Sequence, residues 1–348
     1  MSVFAHAEFD GHEQIVHAFD ADTGLRAIIA VHNTARGPAV GGCRMWPYTD
    51  EAAALTDVLR LSRGMTYKSA LAELPFGGGK SVIIGNPARD KTPELFEAFG
   101  RAVEQLGGRY IAAEDVGTSP ADITHARRVT RHVAGLPDGS GDPSPVTAYG
   151  VFMGMKAAVR HRLGKSDFRG LTVAVQGLGH VGSELCRLLH ESGAKLLVAD
   201  ISAERVAAVC AAFDAQAVPA DRIHTADVDI FAPCALGGGL NDDTIPQIRA
   251  GIIAGAANNQ LAEPRHAEVL RGRGVLYPPD YVVNAGGIIN ILYEKPGYDA
   301  DAAFAHVARI HDTTLEILAR ADRAGITTAA AADHLAEERF KGPALKAA

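Results

Sequence analysis

Leu171-Thr172-Val173-Ala174-Val175-Gln176 runs directly into Gly177-Leu178-Gly179-His180-Val181-Gly182, and the reading of this stretch decides the fold. An isolated G-x-G-x-x-G is weak evidence. Here an apolar strand precedes it, a helical pattern follows it, and the next apolar run, Lys195-Leu196-Leu197-Val198-Ala199, ends in Asp200. In that context Gly177 permits a tight turn, Gly179 lets main chain approach a pyrophosphate, and Gly182 lets the helix pack close to the strand. The amides at the helix start, Leu178, His180 and Val181 among them, and the positive end of the helix dipole then face the phosphates. Asp200 is placed to accept hydrogen bonds from the adenosine ribose and to repel a 2′-phosphate, so the expected cofactor is NAD. The plainer alternative is a glycine-rich turn with Asp200 as a helix cap.

Working outward toward the C-terminus, apolar runs at 230–232, 251–254 and 275–276 alternate with helical segments, and helices are expected at 299–323 and 328–340. That alternation implies a parallel, doubly wound sheet. Toward the N-terminus the pattern differs. Two short strands flank a turn at 20–24, a third spans 38–45, and a helix over 51–63 runs out at Gly64 to deliver Lys68. A strand at 82–84, a helix at 95–106 closed by Gly107-Gly108, and a strand at 110–113 ending in Glu114-Asp115 follow. Ser119, Pro120 and Asp122 read as the start of another helix. A Pro/Gly/Ser-dense stretch at 135–145 marks a boundary. The expected architecture is α/β in two domains: residues 1–145 with a mixed sheet, 146–325 as a Rossmann-type dinucleotide domain, and 326–348 as a helix returning to the first.

Bulk properties exclude several classes. A net charge of −7 over 348 residues argues against nucleic acid as the main partner. No run of about 18 apolar residues suggests a membrane span, and the opening residues lack the charged and apolar regions of a secretory signal. Cys43, Cys186, Cys210 and Cys234 are scattered singly. They fit a reducing cytoplasm better than a disulfide framework, and no metal-ligand spacing is visible.

The chemistry is concentrated near Leu74-Pro75-Phe76-Gly77-Gly78-Gly79-Lys80. Three glycines strip the backbone beside an amine, reading either as a flexible turn or as space for a ligand. A lysine desolvated by apolar neighbours and set near a second cation gives up its proton more readily than one in water, and can then act as a general base. Arginine cannot. Lys68 and Lys80 could form such a pair, one holding a carboxylate and the other activating water, with Asp115 relaying protons.

These features join a larger set: Gly41-Gly42-Cys43-Arg44-Met45, Gly64-Met65-Thr66-Tyr67-Lys68, Ala113-Glu114-Asp115-Val116-Gly117-Thr118, Pro145-Val146-Thr147-Ala148-Tyr149-Gly150, Ala257-Asn258-Asn259-Gln260 and Asn284-Ala285-Gly286-Gly287. Together, over roughly residues 40–291, they resemble the amino-acid dehydrogenase family, and the leucine dehydrogenase branch most. The resemblance implies reversible, NAD-dependent oxidative deamination of an L-amino acid to a 2-oxo acid and ammonia by a homo-oligomer whose interdomain cleft closes on substrate. It assigns the substrate carboxylate to Lys68, the main chain near Gly41 and Gly42, and Asn258. Lys80 becomes the general base, Asp115 the proton carrier at the amino group, and Thr147 and Asn259 cofactor contacts.

Glutamate-specific relatives carry lysine where this chain has Val40, which leaves a distal carboxylate unpaired and disfavours glutamate. By the same resemblance Ala113, Ile288 and Ile291 complete an aliphatic pocket that selects by volume. Leucine is the expected substrate, with phenylalanine or valine as alternatives within the family. A catalytically silent NAD-sensing protein is the rival from a different class.

Overall fold

The computed structural model describes residues 2–136, 141–294 and 297–342. Contacts divide the chain into two units: Met1–Gly141 with Ile291–Asp299 and Ala336–Ala348, and Asp142–Asn290 with Ala300–Leu335.

In the first unit, strands β1 (Gln14–Asp20) and β2 (Leu25–Asn33) form a hairpin. Asp20 accepts from the Thr23 amide at 3.0 Å, and Gly24 adopts φ +73°, a turn that a side chain would resist. Strand β3 (Ala39–Trp46), helix α1 (Glu51–Leu71), strand β4 (Gly77–Ile84), helix α2 (Pro93–Glu104), strand β5 (Tyr110–Glu114) and helix α3 (Pro120–Arg127) follow. The sheet order is β1-β2-β4-β3-β5. β2 runs antiparallel to β1 and β4, while β3 runs parallel to β4 and β5, so the sheet is mixed.

Alternation along β2 sends Ala27, Ile29 and Val31 into a core with Phe96 and Phe99 of α2, and Ile28 and Ala30 into a second core with Val58 and Leu59 of α1. Both faces are therefore covered. Helix starts match their capping chemistry: Asp50 accepts from the Ala53 amide, Thr92 from Leu95, and Ser119 forms a capping box with Asp122.

Helix α1 does not stop at Gly64. Glycine in a helix costs about 1 kcal/mol relative to alanine, but Ser62, Thr66, Tyr67, Ser69, Ala70 and Leu71 are all buried and carry the helix to Leu71. Strand β4 likewise starts at Gly77, five residues earlier than the apolar run predicts, because its glycines are themselves strand residues.

In the second unit, α4 (Ser144–Leu163) leads into β6 (Thr172–Gln176), α5 (His180–Glu191), β7 (Lys195–Ala199), α6 (Ala203–Phe213), β8 (Gln216–Ala217), β9 (Ile230–Pro233), β10 (Ile252–Ile253), α7 (His266–Gly272), α8 (Asp280–Val283) and α9 (Gly286–Leu292). Helices α10 (Ala300–Ala308), α11 (Ile310–Ala324) and α12 (Thr328–Lys341) close the chain. The sheet order β10-β9-β6-β7-β8 is wholly parallel, and the order reverses between β6 and β9. Ligands of such sheets bind at that reversal, beyond the carboxyl ends of the strands.

The long helix expected over 299–323 is broken at Arg309, with no proline or glycine to announce it. The strand expected at 275–276 contributes only a single bridge, Ile252 to Leu276, and the two-residue β8 carries too little sequence to be read. Among the described residues no helix is long and apolar enough to cross a membrane.

Behind α1 lies a buried histidine pair. The rings of His12 and His32 sit 4.8 Å apart, edge to face. His32 Nε2 donates to the Asp10 carbonyl at 3.1 Å and its Nδ1 lies 2.8 Å from Thr66 Oγ1. His12 Nδ1 accepts from the Asp10 amide, while its Nε2 faces the Leu59 carbonyl and the Ser62 hydroxyl. Every ring nitrogen is thus satisfied in the neutral form. Burial, helped by the neighbouring His12, moves His32 from its ordinary 6.5 to about 4, and burial also lowers His12.

The unfolded chain takes up these protons near pH 6.5 and the folded chain does not. Stability is therefore complete above 6.5 and drains as pH falls toward 4. Urea titrations between pH 7 and 4.5 should show a loss on the order of 3 kcal/mol from His32, and His32→Gln should flatten the slope. A wild-type stability that stays flat over that range would refute the neutral pair.

Candidate active site

Strand pairing brings three charged side chains of the first unit together. Lys80 projects from β4, Asp115 follows the end of β5, and Arg44 lies on β3 between those strands. Lys80 is only 5% exposed. Its Nζ lies 2.8 Å from Asp115 Oδ2, and Arg44 Nε donates to the same oxygen at 3.0 Å. Burial opposes ionisation of Asp115, but Lys80 and Arg44 outweigh it and hold the carboxyl below its usual range. Arg44 Nη1 also donates to Asp57 Oδ2 at 3.0 Å, and Tyr48 donates its hydroxyl to that oxygen at 2.6 Å. Lys80 and Asp115 are expected from the sequence. Arg44, Asp57 and Tyr48 are not, although Arg44 stands inside the Gly41–Met45 motif.

The glycines around this cluster are filled rather than open, which corrects the expectation that they leave space for substrate. A Cβ at Gly41 would lie 1.7 Å from the Gly79 carbonyl oxygen, at Gly78 2.0 Å from the Thr66 amide nitrogen, and at Gly79 2.7 Å from the Tyr110 ring. At Gly42 it would meet the Glu114 carbonyl at 2.5 Å and Asp115 Cβ at 2.7 Å. Bare main chain here lets β3, β4, α1 and the end of β5 touch, and so fixes where Lys80 and Asp115 emerge. Tyr110, fully buried, donates its hydroxyl to the Gly41 carbonyl at 2.7 Å.

Val40 and Ala113 are buried beside these glycines, on β3 and β5. Lys68 is half-buried in the last turn of α1. The final carbonyls of that helix accept from Arg339, at 2.8 Å for Leu71 and 3.5 Å for Ala70. Tyr67 donates to Glu337 at 2.9 Å and packs on Phe340.

In the second unit the expected glycine turn between β6 and α5 is in place. Gly177 has φ +95°, and a Cβ there would fall 2.8 Å from the Ala235 amide nitrogen. At Gly182 it would sit 1.9 Å from the Gly177 carbonyl, so strand and helix meet through bare backbone. Gly179 differs: a Cβ would meet nothing within 4 Å. Its glycine identity is not explained by the protein's own packing. It is the N-cap of α5, and no side chain caps that helix. Leu178, Gly179, His180, Ser183 and Arg205 line an open cleft of about 670 Å³, with the His180 side chain in solvent.

Asp200 receives the Leu178 amide at 2.6 Å and the Ser202 amide at 2.8 Å. Burial raises its carboxyl pKa, but these amides prevail and hold it low. Thus Asp200 braces the turn and remains ionised at the end of β7. Past β7 and β9, Ile201 and Leu236 are 98% and 86% exposed; bare apolar side chains at strand ends suit a planar ring, and nothing in their local sequence marks them. These features fit a dinucleotide: donors at the helix start, clearance at Gly179, an anion at the ribose position and apolar platforms.

Thr147 stands in the first turn of α4, where a Cβ at Gly286 would fall 2.7 Å from its Cα. Asn284 Nδ2 donates to Asn258 Oδ1 at 2.8 Å. Asn284 Oδ1 is buried without a partner. Asn259 takes φ +51°, with its amide donated to Asp280 at 2.6 Å. Ile288 is buried on α9 in the second unit, whereas Ile291 groups with the first. Asp242, together with Glu263 and His266 three residues apart, places ligand-type atoms within 4.8 Å of one another. The Arg265 guanidinium already bridges Asp242 and Glu263.

Residues 12–132 match the family described as Glu/Leu/Phe/Val dehydrogenase, dimerisation domain, and 139–204 and 197–296 match Glutamate/Leucine/Phenylalanine/Valine dehydrogenase. A leucine dehydrogenase of Geobacillus stearothermophilus is 51% identical over 344 residues, 98% of this chain and 94% of the relative. An L-tryptophan dehydrogenase of Nostoc punctiforme is 49% identical over 98% of this chain and 96% of its own length. Its crystal structure superposes with a TM-score of 0.86, covering 96% of this chain and 97% of that one. A phenylalanine dehydrogenase of Thermoactinomyces intermedius is 48% identical over 97% of this chain and 94% of the relative.

Two glycines of the turn, Gly179 and Gly182, should separate on substitution. Gly182→Ala should destabilise by about 2 kcal/mol or more in denaturant titrations, since backbone must shift. Gly179→Ala should unfold like wild type yet bind NADH at least about tenfold more weakly by fluorescence titration. Equal NADH affinity in Gly179→Ala and wild type would remove the turn as the phosphate site.

Proposed function

The chain belongs to the Glu/Leu/Phe/Val dehydrogenase family and is an amino-acid dehydrogenase, and from that premise we propose that it interconverts L-leucine with its 2-oxo acid and ammonia, using NAD. The buried contact of Lys80 with Asp115 carries this reading: an amine and a carboxylate held at 2.8 Å can pass protons to a substrate nitrogen and a water.

Lys68, with Asn258 in support, holds the substrate carboxylate. The main chain at Gly177–Gly182 and Asp200 would hold NAD, which would supply the hydride acceptor for oxidation of the substrate amine to an iminium. Lys80 Nζ, unprotonated, takes a proton from water as the water oxygen bonds to the iminium carbon. Asp115 relays the proton from Lys80 to the nitrogen, Lys80 then takes the remaining hydroxyl proton as the carbon–nitrogen bond breaks, and ammonia leaves the 2-oxo acid. Asp200 favours NAD over NADP because a 2′-phosphate would meet a carboxylate held ionised by its amides.

Val40, Ala113, Ile288 and Ile291 supply aliphatic surface and no cation for a distal carboxylate, which favours leucine over glutamate. Partial use of isoleucine, valine and methionine follows, because one methylene is worth only about 1–3 kcal/mol in such a pocket. The match to a dimerisation domain supports a homo-oligomer.

NAD reduction followed by absorbance across a panel of L-amino acids tests the assignment. Leucine should give the highest kcat/KM. A preference for tryptophan or phenylalanine would overturn the substrate, and no reduction with any amino acid would favour a dinucleotide sensor. Lys80→Ala should lower kcat on the order of 10²–10⁴-fold while NADH titrates as in wild type; a folded, active Lys80→Ala variant would remove Lys80 as the base.

A further inference from the structure

Arg44 has no part in the chemistry described so far, yet it bonds directly to Asp115. Asp115 Oδ2 accepts from two cations, Lys80 at 2.8 Å and Arg44 at 3.0 Å. The other arm of the guanidinium is anchored on Asp57, itself held by Tyr48. The four charges alternate along the chain Asp57, Arg44, Asp115, Lys80.

We propose that Arg44 is a positioning residue that keeps Asp115 paired whenever Lys80 gives up its proton. The proposal rests on the reading of Lys80 as the general base. A base must lose its proton before it can take one from water. Were Lys80 the sole partner of Asp115, that loss would strand a mostly buried carboxylate, which is strongly unfavourable. Lys80 would then hold its proton to higher pH. Arginine suits the second position because it does not deprotonate and its planar fork reaches two carboxylates at once. Asp57 holds the fork in place and offsets part of its charge.

Among the described residues near the cluster, Cys43, Tyr110 and Tyr48 are uncharged and Asp122 is paired. Burial pushes the Cys43 thiol on β3 up to about 12 and raises the Tyr110 hydroxyl on β5 well above its ordinary value. Tyr48 is likewise raised, first by burial and then by its bond to Asp57. Asp122, on α3, is paired with Lys91 at 2.5 Å. Ser81, next along β4, shares its hydroxyl with Tyr110.

Two substitutions give opposite expectations. In Arg44→Gln the acid limb of the kcat/KM profile for leucine oxidation should move up by on the order of one pH unit, so that activity falls about tenfold on that limb and recovers at higher pH. In Asp57→Asn the Arg44 charge is no longer shared, and the limb should stay or move down. Arg44→Lys keeps the cation but cannot span both carboxylates, so it should keep the wild-type limb with a lower kcat. Acetylation of Lys80 by acetic anhydride in the cofactor-free protein, read by peptide mass spectrometry against pH, should show the same upward displacement in Arg44→Gln.

An Arg44→Gln profile that falls uniformly with an unmoved limb, or an acetylation curve that does not shift, overturns the proposal. If Lys80→Ala is itself active, the reading of Lys80 fails instead, and the two failures are told apart.

Discussion

Where β3 lies against β4, main chain touches main chain: a Cβ on Gly41 would stand 1.7 Å from the Gly79 carbonyl oxygen, and one on Gly42 would strike Glu114 and Asp115. No side chain fits in that seam, and the glycines on both strands follow from it. Because the seam is closed, the strands have little room to shift against each other. The next residue along β4, Lys80, therefore enters the cluster from a backbone with nowhere to move. A 2.8 Å contact between a flexible lysine and a carboxylate would ordinarily cost side-chain entropy; here the rigid seam and burial have already removed most of that freedom. The precision of the Lys80–Asp115 contact is borrowed from the tightness of the sheet beneath it.

Electrostatics in the first unit are arranged in sequence. Tyr48, Asp57, Arg44, Asp115 and Lys80 form a line of hydrogen bonds in which each charge meets its opposite. A lone buried ion pair gives little net stability, because desolvation offsets attraction. A line that ends in the partly exposed Asp57 keeps one end in water and lowers that cost. In the second unit Asp200 follows a similar logic, its charge supported by main-chain amides.

The dinucleotide unit was legible because its signals are local. Strand, turn, helix and terminal acid lie within 171–200, and each glycine has a separate physical task. The first unit was legible in outline, since β2, α2 and α3 carry clear alternation, helical spacing and caps. Its site was only half readable. Lys80 and Asp115 stand out as polar residues at the ends of apolar runs, but the partnership of Arg44 with Asp115, 71 residues away, comes from strand order, which no local pattern encodes. The glycine run misled for a related reason: residues without side chains look the same whether they leave space or let backbones fill it. Arg309, where the long helix breaks, carries no sequence signal at all.

The last described turns of α12 act on residues made long before them. Arg339 closes the carbonyl end of α1 at Ala70 and Leu71, Tyr67 rests on Phe340, and Arg36 donates to the Arg339 carbonyl at 3.0 Å. On the ribosome the chain between them takes on the order of tens of seconds to emerge. The nested second unit can complete its sheet in that interval, while the helix bearing Lys68 waits with its end uncapped. The unit that begins first during synthesis is thus the one finished last.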